Sequence, residues 1–518
     1  MDHRGRPRFD DIFPALTVAG GAGTSGEIRQ RGIDPALAWL LVLALGFRIP
    51  ISLFTVYHHA DEIWQYIEPA YGLITGDWIR TWDIRLGIRS WLIPLVMVGP
   101  VWLGHALDPA GELHLVLPRL CMALASLGTV WAGWSLGLRI SRTHAITAAF
   151  VAAVWVDFAY FASRTSSDTF SVLAILPGLA MLVRFRDQGN RRDALIGGFL
   201  LGLGFITRFP LGPALAIPFL WTGRTDFRRA WPPLVLGAAG GILCDALANL
   251  AMGEIPLVWI YNNVFANVVA NRSHAYGVEA PEWYLQVLIW QWQWIAVLLV
   301  PSALLGLKRY PMLGATAIAV IAIHSAIGHK EYRFILLAVL LIVLLSAIGS
   351  VDLARLIATW RKRKLGRMGV GLMLGLWLAA SVQVAATEPF VINWGVGKAP
   401  LRAMRTVRGQ PNFCGLATYR IRDVPFVSRA VLNRKGQTLL IEGRQAPRIA
   451  EQAQARYNVA VAPAEHMGEL PPAYRFVGCM SPKKPLFEQQ YCVFRREGPC
   501  TEPAGDLDYN AVLIRIDK

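Results

Sequence analysis

The chain has 518 residues, of which 54% are apolar and only 17% charged. Its mean hydropathy is +0.40, whereas an ordinary soluble domain carries about 25% charged residues. Disorder, coiled coil and collagen are excluded, and long apolar runs point to a polytopic α-helical membrane protein. A formal charge of +16 suits the cytoplasmic loops of such a protein better than nucleic acid, because no basic stripe with interleaved aromatics lies outside the loops.

In chain order, residues 1–33 are polar, Gly-rich and basic. They carry no convincing signal-peptide pattern and read as a cytoplasmic tail. Apolar runs long enough for helices follow at about 35–56, 91–107, 116–138, 145–161, 169–183, 194–207, 209–221, 231–251, 285–307, 311–327, 334–350 and 368–386. Charge decides which of them cross. If 91–107 is re-entrant or interfacial, as Pro94, Gly99 and Pro100 suggest, every large basic cluster falls inside. The count is then 22 Lys and Arg inside against 8 outside before residue 387, the bias the positive-inside rule requires. About eleven transmembrane helices are expected within a catalytic region of residues 34–386. Polar outer loops are then expected at 57–90, 252–284 and 328–333. No internal repeat of the kind transporters carry is evident.

Residues 387–518 would then be exported. The segment alternates β-like runs (YRIR, TLLIEG, YNVAVAP, YCVF and AVLIRI) with Gly and Pro turns, and reads as a small α/β domain. It holds Cys414, Cys479, Cys492 and Cys500. In an exported domain these form two disulfides in one of three connectivities; in a cytosolic one they stay free thiols. Cys121 and Cys244 lie in apolar runs and read as core.

Two polar clusters carry the candidate chemistry. In the first outer loop Asp61, Gln65 and Glu68 are spaced i, i+4, i+7, which an α-helix places on one face. Asp61 and Glu62 directly follow the first span, where partial desolvation raises a carboxylate toward the range of a general base. The other reading is an interfacial helix with solvated acids. The second cluster is HKEYRF, from His329 to Phe334. Lys330 and Arg333 suit a phosphate at the membrane surface, or simply snorkel. Arg208, Arg164, Asp168 and Asp245 are polar groups at membrane depth that also fit structural ion pairs. Tyr276, Gly277, Pro281, Trp283 and Tyr284 in the 252–284 loop fit an interfacial belt or a sugar site.

The first loop resembles the signature of the dolichol-phosphate-mannose-dependent α-mannosyltransferases. The matching residues are His59, Asp61, Glu62, Gln65, Glu68, Pro69, Gly76, Thr81, Trp82, Arg89, Ser90 and Pro94. Ala60 and Asp83-Ile84 depart from the family pattern. His329, Lys330, Glu331, Arg333 and Phe334 resemble its His-Lys-Glu-x-Arg-Phe motif, and SRTSSD, with Asp168 in place of Asn, resembles a Ser-Arg-Thr-x-Ser-Asn stretch. The resemblance covers roughly residues 40–350 and not the tail. It implies a GT-C fold and inverting transfer of mannose from a polyprenyl-phosphate donor to a glycolipid or lipid-linked glycan. Asp61 is the implied base, with Glu62 and Glu68 as support or alternative bases. His329, Lys330, Arg333 and Arg208 are the donor-phosphate candidates. His59, Gln65, Trp82, Arg89, Tyr276 and Trp283 are substrate-binding candidates.

Because Lys and Arg neutralise a monophosphate, no cofactor or obligatory metal is expected. The Arg-, Ala- and Gly-rich composition suggests a bacterial relative in the inner membrane, with its loops and tail in the periplasm. Two rivals stand beside this reading. One keeps the fold but uses another sugar or a protein acceptor. The other is a transporter or flippase of lipid-linked sugars, which would favour broken helices near the midplane over acids in an outer loop.

Overall fold

The computed structural model describes residues 33–53, 57–224, 226–421, 428–481 and 490–516. The expected cytoplasmic tail thus falls almost wholly outside the described residues. Each apolar run named above is largely helical over its described residues. Among the described residues, seven helices are long and apolar enough to cross a membrane: Pro35–Leu53, Leu113–Leu138, Ser167–Gln188, Phe227–Ala251, Trp283–Arg309, Tyr332–Trp360 and Arg367–Ala386. The other four expected spans are helices of 12 to 17 residues. A helix of 17 residues reaches only about 26 Å, short of a hydrocarbon core of roughly 30 Å. Local chemistry shortens them. Trp155 is extended and ends Arg142–Val154, and Arg208 leaves helical geometry just before Pro210.

Glycines set the closest packing. Gly198 and Gly202 face the carbonyls of Leu234 and Ala238, while Gly237 and Gly241 face Leu195 and Phe199. A methyl at any of them would collide with the opposite backbone. These paired small residues let helices Arg191–Thr207 and Phe227–Ala251 touch along their length, as membrane helices do in the absence of a water-driven force. Arg208 is thereby fixed at the end of a rigid pair. Helix Tyr332–Trp360 is buried along most of its length within the largest apolar cluster, which fixes Arg333 at its start. Helix Leu92–Leu107 turns Ile93, Met97 and Val101 into the cluster that holds Ile63 and Ile67 of the first loop.

Beyond the last long helix lies a five-stranded sheet of β1 Gly415–Tyr419, β2 Gln437–Ile441, β3 Val459–Pro463, β4 Arg475–Met480 and β5 Tyr491–Arg495. The strand order is β2-β1-β3-β5-β4. β1 pairs in parallel with β2 and β3, and β5 runs antiparallel to β3 and β4. Both expected disulfides form. Cys479 and Cys492 are opposite residues of β4 and β5, and Cys414–Cys500 ties the start of β1 to the segment after β5.

Two tail expectations are corrected, and one strand, β4, lies outside every run named above. AVLIRI is not β-like but lies in the helix Tyr509–Ile516. Asp508 Oδ1 accepts from the N–H groups of Asn510 and Ala511, capping the first turn, and Tyr509, Val512 and Leu513 form one buried face. Packing and a cap override the β preference of Val and Ile. Of the described residues of YRIR, Tyr419 alone lies in its strand. β4 had no alternating signal, because it is a half-exposed edge strand with a register shift between Phe476 and Gly478.

Candidate active site

Asp61 opens a π-helical stretch, Glu62–Ile67, in which the Glu68 N–H reaches the Ile63 carbonyl. A π turn holds more residues than an α turn, so each residue advances less around the axis. Over this stretch the lag separates residues that an α-helix would align. The expected single face of Asp61, Gln65 and Glu68 is therefore not formed. Asp61 and Gln65 line a cavity, and Glu68 turns away from it.

The cavity has a volume of about 850 Å³ and opens between the first loop, the 252–284 loop and the HKEYRF segment. His59, Asp61, Gln65, Trp82, Arg89, Arg208, Tyr276, His329, Lys330 and Arg333 all line it. Arg333 is the hub. Its Nη2 donates to Asp61 Oδ2 at 2.7 Å, its Nε to Glu331 Oε2 at 2.6 Å, and its Nη1 lies 3.5 Å from Asp168 Oδ2. Asp168 in turn pairs with Arg208 Nε at 3.0 Å. Two sequence motifs and a third polar stretch thus meet on one guanidinium, whose planar fork suits several carboxylates at once. Phe334 lies beneath Arg208, with the guanidinium carbon 4.4 Å from the ring centre.

His59 Nδ1 lies 3.3 Å from Asp61 Oδ1, and His59 Nε2 lies 3.6 Å from Glu331 Oε2. His329 Nε2 lies 3.0 Å from Glu331 Oε1. Lys330 differs from the other cations: its Nζ donates to the Ile327 carbonyl, and it forms no ion pair among the described residues. On the first-loop side, Asp83 accepts from the Thr81 hydroxyl and lies 3.6 Å from Arg89 Nε. Trp82 Nε1 donates to the Tyr276 hydroxyl at 3.1 Å, joining the two loops.

Charge follows from these contacts. Burial pushes the Asp61 carboxyl up, but His59 and Arg333 outweigh it and hold it well below the usual carboxylate range. Glu331 is likewise depressed, with Arg333 and His329 overcoming burial. Burial lowers the His59 imidazole, yet Asp61 and Glu331 leave it raised overall. Asp83 is raised by burial against the pull of Arg89.

Three candidates lie elsewhere. Glu62 is fully buried and accepts from the His58 N–H at 2.6 Å and the Thr165 N–H at 3.0 Å. Glu68, also fully buried, accepts from the N–H groups of Ile79 at 2.8 Å, Arg429 at 3.0 Å and Ala430 at 2.8 Å. Burial pushes Glu68 up to about 7 despite these bonds. Trp283 packs edge-on against Tyr284 and the main apolar cluster, outside the cavity lining. Asp168, for which the sequence allows an ion pair, pairs with both Arg208 and Arg333. Tyr509 and Leu513 of the tail line the cavity, and no signal in the sequence pointed there. Among the described residues no group of three or more His, Cys, Asp or Glu is arranged to hold a metal ion.

Among solved structures, the fold is similar to that of ArnT from Cupriavidus metallidurans. In the apo state the TM-score is 0.55 at 13% identity, covering 89% of this chain and 98% of that one. The form bound to undecaprenyl phosphate gives 0.54. This likeness is one of fold, and the fold is GT-C, as the motifs implied. GPI mannosyltransferase 3 of Yarrowia lipolytica is 28% identical over 312 residues, covering 57% of this chain and 59% of the relative. GPI alpha-1,2-mannosyltransferase 3 of Homo sapiens is 24% identical over 313 residues, covering 57% and 54%. Alpha-1,2-mannosyltransferase alg9 of Schizosaccharomyces pombe is 22% identical over 270 residues, covering 49% and 46%. The chain thus spans roughly half the length of these relatives. Residues 39–412, which hold every residue of the Arg333 network, match the Alg9-like mannosyltransferase family, and the chain belongs to that family.

Proposed function

We propose that the protein is an integral-membrane inverting glycosyltransferase that moves mannose from a polyprenyl-phosphate mannose to a glycolipid or lipid-linked glycan. One observation carries the reading: the Asp61 carboxylate, 2.7 Å from Arg333, shares a cavity at the ends of apolar helices with Arg333, Lys330 and Arg208. A lipid-tailed phosphate donor needs both features. Its tail stays among the helices, and its phosphate meets cations at their ends.

The chemistry follows from charge. Lys330, which among the described residues pairs with a carbonyl and no carboxylate, takes the phosphate first. Arg333 then divides its donors between phosphate and carboxylates, and Asp61, less tightly held, gains basicity. The acceptor hydroxyl attacks the anomeric carbon and its proton passes to Asp61. The bond from the anomeric carbon to the phosphate oxygen breaks, and the electron pair leaves on polyprenyl phosphate. Until it takes that proton, Asp61 also offsets positive charge building on the sugar ring. Attack opposite the phosphate inverts the anomeric centre. Family membership supports the mannose donor, and the polyprenyl phosphate bound to ArnT is consistent with it. The site is read as facing the outer side of the membrane, with the sheet region on that same side.

The test uses purified protein in lipid with a panel of polyprenyl-phosphate sugars and a membrane lipid extract as acceptor. Release of polyprenyl phosphate with the mannose donor, together with mannosylated lipid, is the expected outcome. Turnover only with another sugar moves the donor assignment. Transport of a lipid-linked sugar without release of polyprenyl phosphate replaces the enzyme reading with the flippase.

A further inference from the structure

The matched family region ends at residue 412, yet the cavity wall does not. Tyr509 and Leu513 stand in it, nearly a hundred residues further on. They are carried by the helix Tyr509–Ile516, which is bolted to the far limb of the first loop. Asn510 Oδ1 accepts from the Arg80 N–H at 2.7 Å, and Asn510 Nδ2 donates to the Trp78 carbonyl at 3.0 Å. One side-chain amide therefore satisfies a backbone donor and a backbone acceptor of the loop, fixing register as well as position. Arg85 Nη2 reaches the Leu513 carbonyl at 3.4 Å. A second clamp holds an earlier part of the tail, the helix Arg429–Leu432, to the loop, since Glu68 takes the N–H groups of Arg429 and Ala430, and Arg429 Nε lies 3.0 Å from Asp77.

The wall that results differs in chemistry from the rest of the cavity. The cations read above as phosphate ligands sit at the ends of apolar helices: Arg208 closes Arg191–Thr207, and Lys330 and Arg333 lead into Tyr332–Trp360. The limb that the tail helix braces supplies Thr81, Trp82 and Asp83, and Asp83 faces Arg89. Aromatic rings, a carboxylate and a guanidinium in one wall suit a pyranose, whose C–H faces pack on rings and whose hydroxyls take planar hydrogen-bonding groups. A lipid tail would take this carboxylate and guanidinium out of water without offering either a hydrogen bond.

We propose that the C-terminal helix, through Tyr509 and Leu513, forms with Trp82 and Asp83 the wall that receives the sugar end of the acceptor glycolipid. Tyr509 and Leu513 are thus substrate-contacting, specificity-determining residues contributed by the segment outside the family match. The inference rests on the transferase reading of the site.

The experiment measures initial rates of full-length protein in lipid, varying polyprenyl-phosphate mannose and the membrane lipid extract separately. Leu513→Trp fills the wall, and Leu513→Ala enlarges it. Thermal melting in the same lipid establishes that each is folded. The expected result is a KM for the extract raised about tenfold or more in at least one folded variant, with the KM for the donor within about twofold of wild type. Unchanged KM for the extract in the folded variants, or donor and extract KM rising together, overturns the inference. Wild type that turns over in those cases leaves the transferase reading standing. Wild type that releases no polyprenyl phosphate overturns the transferase reading itself, and this inference with it.

Discussion

Asp61 and Glu68 sit seven residues apart in one loop, and both are carboxylates of the stretch that resembles the mannosyltransferase signature. Asp61 meets a guanidinium and a histidine and lines the cavity. Glu68 meets three backbone N–H groups and is sealed from solvent. One is held far below the usual carboxylate range, the other is lifted to about 7. The partner, more than the residue type, sets the role. A carboxylate paired with movable cations can be released to do chemistry, whereas one that accepts from fixed amides holds chain segments together.

Four measurements break or sharpen this contrast. The largest effect is expected from Asp61→Asn. Loss of a general base costs about 10²- to 10⁴-fold, read as a fall in kcat for polyprenyl phosphate release with the protein still folded. Arg333→Lys comes next. It keeps a charge but loses the fork that reaches Asp61, Glu331 and Asp168, and kcat/KM for the donor falls about 10- to 100-fold, the worth of one or two charged hydrogen bonds.

Glu68→Gln follows, and here stability is what should move. A Gln amide turns a donor toward backbone donors, at a cost of about 1–3 kcal/mol, seen as a lower melting temperature. The smallest effects are in pH. Glu68 binds its proton more tightly in the folded chain, so its contribution to stability is full below its ordinary value of 4.5 and is lost as pH rises through about 7. That component is absent in Glu68→Gln. Asp61 is depressed instead, so kcat/KM keeps its acid limb below the usual carboxylate range and does not fall between pH 8 and 5 on account of Asp61.

The sequence made much of this legible, and its failures have physical causes. The helices follow from apolar runs that leave little other choice in a membrane. Of the tail cysteines, Cys479 and Cys492 pair because β4 and β5 place them opposite each other. The Arg333 network was half visible: both motifs were evident, but that they meet on one guanidinium depends on packing between residues 61, 168, 208 and 333. The opposed fates of Asp61 and Glu68 were hidden by the π turn, since i, i+4, i+7 spacing presupposes an α-helix. The partners of Glu68 at Arg429 and Ala430 lie some 360 residues away and leave no local mark. The tail helix was misread because AVLIRI has strand propensity, while its cap and buried stripe depend on where it docks.

The most direct test sets Asp61→Asn beside Glu68→Gln in one assay. Each purified variant is given polyprenyl-phosphate mannose and lipid acceptor, and release of polyprenyl phosphate is followed through a single turnover. Near-complete loss in Asp61→Asn with chemistry retained in folded Glu68→Gln is the predicted result. Full release by Asp61→Asn and none by folded Glu68→Gln would contradict it and place the base on the sealed side of the loop.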